Sequence, residues 1–227
     1  MIYGIGDLHL DYSKDKSMDI FGEKWTNHEE KIFRNWEALV EDEDLVLLPG
    51  DISWALKLGE AHYDLKRIDA LPGKKIVSKG NHDYWWEGLK KMRELSLKTI
   101  SFLQNNSYIH DNVGIFGSRG WMAEDIENFD SHDKKIFNRE LNRLKLSLSS
   151  IKEEVDVKIA MIHYPPFNMD STPNKFVDLM KEYNIDICIY GHLHAKGHRS
   201  IIEGQIQGIQ FYCVASDYIN FKPKKII

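Results

Sequence analysis

The stretch Ile76-Val77-Ser78-Lys79-Gly80-Asn81-His82-Asp83 decides the fold and the site predicted for this chain. It starts as a short apolar run, which is typical of a buried strand, and the run ends at a glycine. An amide, an imidazole and a carboxylate follow at once. Because a glycine has no Cβ, a tight turn at Gly80 can aim successive side chains into one space. Alone, such a cluster indicates either a site or a hydrogen-bonded turn.

The same arrangement, an apolar run followed by potential ligand side chains, recurs along the chain. Four further runs end in this way: residues 2–6 lead to Asp7 and His9, residues 45–48 to Asp51, residues 159–162 to His163, and residues 185–190 to His192 and His194. A single histidine after a strand is more often structural than a ligand. Five such strand ends are difficult to explain as turns, because parallel strands place their carboxyl ends at one edge of a sheet. We therefore predict a functional site at this edge.

Helical patterns separate these strands. Apolar residues recur at helical spacing in residues 28–40, 60–71, 85–96, 130–152 and 173–183. Asn27 with Glu30 resembles a capping box for the first helix. Residues 108–116 fit a hairpin with Asp111-Asn112 at its turn. Alternating short apolar strands and amphipathic helices predict an α/β fold with a largely parallel sheet, and the helix-poor tail predicts antiparallel edges or a second sheet.

Length and composition limit the function classes. The chain has 227 residues, 42% hydrophobic and 29% charged, as in ordinary globular proteins, and we predict one domain over residues 1–227. Lys and Arg total 30 against 35 Asp and Glu, which gives no basic face for nucleic acid or an anionic membrane.

Cys188 and Cys213 lie in apolar runs and are predicted to be buried free thiols in a reducing compartment. No apolar stretch is long enough to span a bilayer, so we expect a cytoplasmic protein. Residues 11–26 are expected to form a polar surface loop.

The side chains at the strand ends suit a metal centre. The candidate ligands are Asp7, His9, Asp51, Asn81, His163, His192 and His194. Carboxylate, imidazole and amide oxygen suit borderline divalent ions such as Zn, Mn and Fe, and the set contains no thiolate. Seven ligands exceed what one tetrahedral site needs. Two divalent ions that share a bridging carboxylate are therefore the simplest prediction, with the identity of the metal left open.

The order of these blocks carries a family resemblance. Asp-x-His, Gly-Asp, Gly-Asn-His-Asp, His and Gly-His-x-His, in this order from Asp7 to His194, resemble the calcineurin-like metallophosphoesterase superfamily. The resemblance implies two β-sheets packed face to face with helices on both outer faces. It also implies that a bridging hydroxide held by the two ions attacks a phosphomonoester or phosphodiester. By this resemblance Asp7, His9, Asp51 and His194 would hold the first ion, and Asp51, Asn81, His163 and His192 the second, with Asp51 bridging.

His82 carries no metal in this scheme, which leaves it free to act on the substrate. It would donate a proton to the leaving oxygen or hydrogen-bond a phosphoryl oxygen. Asp83 is a candidate for positioning His82. Adjacent side chains in a turn often diverge, however, so this role for Asp83 is one of two alternatives.

Differences between this sequence and the motifs of related families weigh against some candidate functions. The Gly-Asp block continues as Ile52-Ser53-Trp54-Ala55-Leu56, whereas protein Ser/Thr phosphatases of the superfamily have Asp and Arg there. The opening Asp7-Leu8-His9-Leu10 is also similar to UDP-diacylglucosamine pyrophosphohydrolases of the lipid A pathway, but those usually have arginine where His82 stands. A third alternative is a non-catalytic scaffold on the same fold. A scaffold would be expected to have lost ligands, and every block is intact here.

Two residues near the predicted site are candidates for contacting the substrate. Trp54 could form part of a stacking rim for a nucleobase or a sugar, although burial in the core is the more common role of a tryptophan. Arg119, between Ser118 and Gly120, could clamp a phosphate with two hydrogen bonds, and an exposed arginine is the alternative. We expect a small phosphorylated substrate, such as a nucleotide. The oligomeric state is left open.

Overall fold

The computed structural model describes residues 1–13 and 16–227, whose strands form two sheets. The strands are β1 (Ile2–Gly4), β2 (Leu45–Pro49), β3 (Lys74–Ser78), β4 (Ile100–Phe102), β5 (Tyr108–His110), β6 (Val113–Ser118), β7 (Val157–Ile162), β8 (Ile187–Tyr190), β9 (Gly204–Ile206), β10 (Ile209–Cys213) and β11 (Lys224–Lys225). The first sheet has the order β11-β1-β2-β3-β4, and the second has the order β5-β6-β7-β8-β10-β9. The central strands of both sheets are parallel, and the edge strands β5, β9 and β11 are antiparallel to their neighbours. The antiparallel edges predicted for the tail are therefore present.

The helices lie between successive strands of the chain. They are α1 (His28–Glu37), α2 (Leu58–Asp69), α3 (Leu89–Arg93), α4 (Ser131–Leu148) and α5 (Lys175–Glu182). Short 3₁₀ segments occur at Met18–Phe21, Glu23–Trp25 and Ala195–Ser200. Within the described residues, none of the helices combines the length and the apolarity that a membrane crossing requires.

Three apolar layers hold the two sheets and the helices together. Strand β2 shows the principle, because Leu45 and Leu47 face the second sheet while Val46 and Leu48 face α1 and α2. A third layer joins the second sheet to α4 and α5. The central strands are thus buried on both faces, which explains their continuous apolar sequences. The predicted α/β fold, with two sheets face to face and helices outside, is confirmed.

Several local predictions can be compared with the structure. Asp111 and Asn112 form the hairpin turn with φ of 45° and 64°, and Cys188 and Cys213 are buried free thiols, both as predicted. The prediction of a capping box at Asn27 is wrong. Asn27 precedes α1 in a left-handed conformation, with φ of 52°, and its side chain caps no N–H.

Two predicted segments have different extents. The helix predicted over residues 85–96 is limited to Leu89–Arg93, because residues 81–88 form the loop that contributes to the site. The surface loop predicted over residues 11–26 includes positions 14 and 15, which lie outside the described residues. Within the rest of that segment, Met18 and Trp25 are buried, so its 3₁₀ turns belong to the core.

Candidate metal centre

The side chains predicted as ligands converge where the carboxyl ends of both sheets meet. Asp7 and His9 follow β1, Asp51 follows β2, Asn81 follows β3, His163 follows β7, and His192 and His194 follow β8. The two carboxylates and the amide thus come from the first sheet, and three of the four imidazoles come from the second. Contacts between the sheets, such as the hydrogen bond from His163 Nδ1 to the Pro49 carbonyl at 2.9 Å, link all of them in one cluster.

The backbone is strained where it presents these side chains. Asp7, His9, Asp51 and His192 have φ values of 56°, 47°, 53° and 73°. Such left-handed conformations cost about 1–3 kcal/mol each in residues other than glycine, and they persist only where the surrounding structure fixes them. Here the Asp7 N–H donates to the Gly50 carbonyl at 2.9 Å, and the His9 N–H donates to the Asp51 carbonyl at 3.0 Å. The loops after β1 and β2 therefore hold each other in the conformation that turns the ligands inward.

Two glycines allow the carboxylates to approach the neighbouring backbone. A Cβ at Gly80 would lie 2.1 Å from Asp51 Oδ1, and a Cβ at Gly191 would lie 2.2 Å from Asp7 Oδ2. The sequence suggested that Gly80 provides freedom for a turn. The structure gives a different reason, which is the space that the Asp51 carboxylate occupies.

Asp7, His9 and His194 form a first group, with ligand atoms all within 4.8 Å of one another. His194 Nε2 lies 3.3 Å from Asp7 Oδ1. His9 Nδ1 and His194 Nε2 are buried and have no hydrogen-bond partner within residues 1–13 and 16–227. One carboxylate and two imidazoles whose ligand atoms lie this close together are the kind of set that binds a divalent cation.

Asn81, His163 and His192, with Asp51, form a second group. His163 Nε2 lies 2.7 Å from Asn81 Oδ1, 3.2 Å from His192 Nδ1 and 3.4 Å from Asp51 Oδ2. Because His163 Nδ1 donates its proton to the Pro49 carbonyl, Nε2 is the ring nitrogen that faces the amide oxygen and the carboxylate oxygen. Either a proton on Nε2 or a cation bound among these atoms would satisfy both oxygens.

Carboxylates set the charge of two of the imidazoles. Burial lowers the pKa of His163, but the charge of Asp51 outweighs it and raises this pKa to about 9. In the same way, Asp7 and Asp217 overcome the burial of His194 and raise its pKa to about 10. In the metal-free chain both rings therefore carry protons at neutral pH, and these protons neutralise the carboxylates as metal ions would.

The other two imidazoles are already in the state that a ligand needs. Burial lowers the pKa of His9 to about 4, and burial with the charge of His163 lowers that of His192 to about 3, so both rings are neutral at pH 7. Asp51 Oδ2 lies 3.8 Å from His9 Nε2 and 3.4 Å from His163 Nε2, one nitrogen from each group. The residues present therefore fit divalent metal binding, and Asp51 lies between the two groups.

His82 lies beside this cluster, and its ring nitrogens form no hydrogen bond within residues 1–13 and 16–227. Its centroid is 5.8 Å from that of His9 and 4.6 Å from that of Trp54. Its backbone N–H donates to Asp51 Oδ1 at 2.8 Å. Burial lowers the pKa of its imidazole below 6.5. The ring is thus beside the predicted ligands, in a place where it can contact a substrate.

Asp83 does not face His82. Its buried carboxylate accepts hydrogen bonds from the backbone N–H groups of residues 51, 52, 53 and 80, at 2.8, 2.9, 3.3 and 2.7 Å, and from Trp85 Nε1 at 3.0 Å. These bonds join the loop after β2 to the loop after β3. Of the two alternatives that the sequence left open, divergence from His82 is the one observed, and the role of Asp83 is to hold Asp51 and Asn81 in register.

Trp54 packs against the cluster. Its indole stacks on the His9 ring at 4.8 Å with an interplanar angle of 21°, and its Nε1 lies 3.2 Å from Met18 Sδ. It is only partly buried. Its position therefore allows both roles considered for it, supporting His9 and lining the rim.

Arg119 points away from the candidate ligands. Its guanidinium lies 3.5 Å from Glu140 Oε1 and stacks on the Trp121 ring at 4.4 Å. Its side chain is mostly buried, so it is not the exposed surface arginine considered as the alternative. A direct clamp on a phosphate held between the two ligand groups has no support in this orientation.

The sequence analysis missed Asp217, which supports one of the ligands. Its carboxylate accepts from His194 Nδ1 at 2.8 Å and from the Ala195 N–H at 3.1 Å, and its second oxygen lies 3.0 Å from His198 Nε2. The contact directs His194 Nε2 towards Asp7, as carboxylates commonly do for histidine ligands. The signal was present, because Asp217 follows the apolar run that ends at Ala215, the same pattern as at the other strand ends.

Comparisons with known proteins agree with this geometry. The chain matches the family model for calcineurin-like phosphoesterase over residues 1–196. It is 23% identical over 174 residues to the uncharacterized protein MJ1445 of Methanocaldococcus jannaschii, covering 74% of this chain and 87% of that protein.

Solved structures show the same fold. A protein of unknown function from Aquifex aeolicus, AQ665, has a TM-score of 0.53 at 18% identity, covering 99% of this chain and 94% of that one. Phosphopantetheinyl hydrolase from Mycobacterium tuberculosis has a TM-score of 0.54 at 13% identity, covering 94% and 88%. GAP50, the anchor in the inner membrane complex of Plasmodium, has a TM-score of 0.50 at 16% identity, covering 95% and 71%. With the family match and the ligand cluster together, the chain belongs to the calcineurin-like phosphoesterase family, the metal-dependent phosphoester hydrolases.

Proposed function

We propose that this protein hydrolyses a phosphomonoester or a phosphodiester at a centre of two divalent ions. The observation that carries the proposal is the position of Asp51, whose Oδ2 lies within 4 Å of a ring nitrogen in each ligand group. Asp7, His9 and His194 would complete the first site, and Asn81, His163 and His192 the second. Two adjacent ions would activate water and stabilise the phosphoryl charge that develops during in-line displacement.

The chain's own residues would orient the substrate and deliver a proton. His82 is free of the ligand groups and borders them, so it would donate a proton to the leaving oxygen or hydrogen-bond a phosphoryl oxygen. Trp54 stacks on His9 and, with the exposed Tyr84, flanks His82. These aromatic rings would give the organic part of the substrate, a nucleoside for example, a surface on which to stack.

The substrate class and the cell compartment are also proposals. The M. tuberculosis relative is named for phosphopantetheinyl hydrolysis, and its identity of 13% supports a shared fold but no shared substrate. We propose a small phosphorylated substrate and Mn, Zn or Fe as the ion. The buried free thiols Cys188 and Cys213 fit a reducing compartment, which supports the cytoplasm.

Elemental analysis and a substrate screen would test the proposal. Protein purified without chelator should contain more than one equivalent of transition metal and should hydrolyse nitrophenyl mono- or diesters when Mn, Zn or Fe is supplied. Asp51→Asn should lose most of the metal and the activity. The exposed Asp170→Asn should change neither. Full activity with one ion would overturn the two-ion centre, and two bound ions without hydrolysis of any ester would favour a scaffold.

A further inference from the structure

A second polar cavity lies beside the carboxyl ends of β3, β4 and β6, against α4. Its volume is about 250 Å³, and three cationic side chains line it: Lys79, Arg119 and Arg143. None of the seven candidate metal ligands is among its lining residues. The cavity is therefore a separate feature from the metal centre, although it lies close to it.

The cations of this cavity have too few anionic partners. Glu140 is the buried carboxylate among them, and its Oε1 is shared by Arg143 at 2.8 Å, Arg119 at 3.5 Å and the more exposed Arg139 at 3.4 Å. Glu87, the other acid of the lining, pairs with Lys91 at 2.5 Å. Three guanidinium groups therefore depend on a single carboxylate.

Lys79 adds a further positive charge with no partner. It is partly buried, and within residues 1–13 and 16–227 its ammonium group has no hydrogen bond or ion pair. Glu140 and Asp83 act on this charge from a distance, but neither forms an ion pair with Lys79 in the described residues. A partly buried lysine beside arginines without a paired acid is unfavourable for the protein alone, so a function for the charge is the simplest explanation.

The cavity is preorganised and joined to the metal centre through the backbone. Arg119 is fixed by stacking on Trp121 at 4.4 Å, and its carbonyl oxygen accepts the N–H of His163, a candidate ligand, at 3.0 Å. Arg119 Nε is buried with no partner in the described part of the chain. Lys79 lies two residues before Asn81, another candidate ligand.

We propose that this cavity binds a phosphate-class anion. Guanidinium groups offer paired N–H donors that match the oxygens of a phosphoryl group, and Lys79 adds a point charge. The anion would supply the negative charge that Glu140 alone does not provide. Two sources share this chemistry: a second phosphoryl group of the substrate, and a free anion that binds independently. The site itself does not depend on the proposed hydrolysis.

Equilibrium dialysis of the metal-loaded full-length protein against radiolabelled phosphate tests the proposal. We expect two equivalents per chain, one at the metal centre and one in the cavity. Lys79→Met and Arg143→Gln should each weaken the cavity equivalent at least about tenfold, and Lys74→Met, at the exposed start of β3, should not. Asp51→Asn should lose the metal-centre equivalent and keep the other, so that failure of one site is distinguishable from failure of the other.

A second measurement separates binding from a structural role. Without phosphate, Lys79→Met should melt at the same temperature as the wild type or higher, because it removes repulsion between cations. One phosphate equivalent that is insensitive to Lys79→Met and Arg143→Gln would overturn the proposal, as would a lower melting temperature with unchanged phosphate binding. If the anion is part of the substrate, Lys79→Met should raise KM only for substrates with two phosphoryl groups. If it is a free anion, KM should be unchanged for both kinds of substrate.

Discussion

Gly191→Ala should damage the first ligand group without replacing any of the candidate ligands. The three atoms nearest to a Cβ at this position all belong to the Asp7 carboxylate, at 2.2, 3.2 and 3.5 Å. Asp7 is completely buried and the His192 N–H donates to its oxygens at 3.1 and 3.0 Å, so the carboxylate has little space to retreat. The substitution therefore tests whether the position of this carboxylate matters for metal binding.

The magnitude follows from the distances. Ordinary contact begins at 3.4 Å, so the carboxylate oxygen would have to move by about 1.2 Å from its 2.2 Å position. Metal–ligand distances tolerate only about 0.2 Å. Losing supporting contacts alone weakens metal binding by about 10–100-fold, and we expect at least the upper end of this range. Overpacking should also lower the free energy of unfolding of the metal-free protein by about 1–3 kcal/mol.

Metal titration with elemental analysis, and denaturant unfolding in the presence of chelator, would measure the two effects. Gly59→Ala is a matched control, because Gly59 lies in α2 with nothing within 4 Å of a Cβ. It should leave metal binding unchanged and stabilise the helix by up to about 1 kcal/mol. Wild-type metal affinity in Gly191→Ala would refute the assignment of Asp7 as a ligand in the observed position.

Three further predictions address neighbouring groups. Asp83→Ala should lower the free energy of unfolding by at least about 3 kcal/mol in denaturant titration, since it leaves five N–H donors without an acceptor. The control Asp130→Ala, at the exposed cap of α4, should lower it by about 0.5–2 kcal/mol. Equal losses in the two variants would contradict the role of Asp83. His82→Ala should keep both ions but reduce the rate about 10²–10⁴-fold on esters with alkoxide leaving groups, and less on nitrophenyl esters. Loss of metal together with equal reductions on both kinds of ester would make His82 a ligand instead. Metal affinity should rise with pH between 6 and 8, because ions displace protons from His163 and His194. The metal-free protein should lose stability progressively as pH rises from 6.5, with the loss complete above about 9 to 10, because the folded rings keep protons that the unfolded chain has released. A pH-independent affinity would exclude this competition.

The sequence predicted that the candidate ligands lie together because the relevant pattern is local. An apolar run followed by Asp, His or Asn marks the carboxyl end of a strand, and parallel strands bring such ends together. The same reasoning identified the hairpin at Asp111-Asn112, since both residues tolerate a left-handed backbone. These predictions needed no knowledge of which side chains touch.

The roles that depend on side-chain direction could not be predicted in the same way. Asp83 follows His82 directly in the sequence, yet its carboxylate turns to the loop after β2. Arg119 follows β6, at a position that suits a phosphate clamp. Its guanidinium instead pairs with Glu140, which lies 21 residues away on α4. Asp217 lies 23 residues beyond the histidine that it supports. The packing of the second sheet against α4 creates the Arg119 pair, the chain's return after β10 creates the Asp217 pair, and the approach of two neighbouring loops of the first sheet creates the Asp83 contact.

The division of the ligands between the two sheets has a consequence for stability. Asp7 and Asp51 belong to the first sheet, while His163 and His192 belong to the second. The distances between these two pairs of residues are fixed by direct bonds, such as that from His163 to the Pro49 carbonyl, and by the apolar layer between the sheets. Ions bound by both sheets would therefore act as cross-links that bind the folded chain far better than the unfolded one. Chelation should accordingly lower the melting temperature as well as the activity, by an amount that grows with the free ion concentration relative to its Kd.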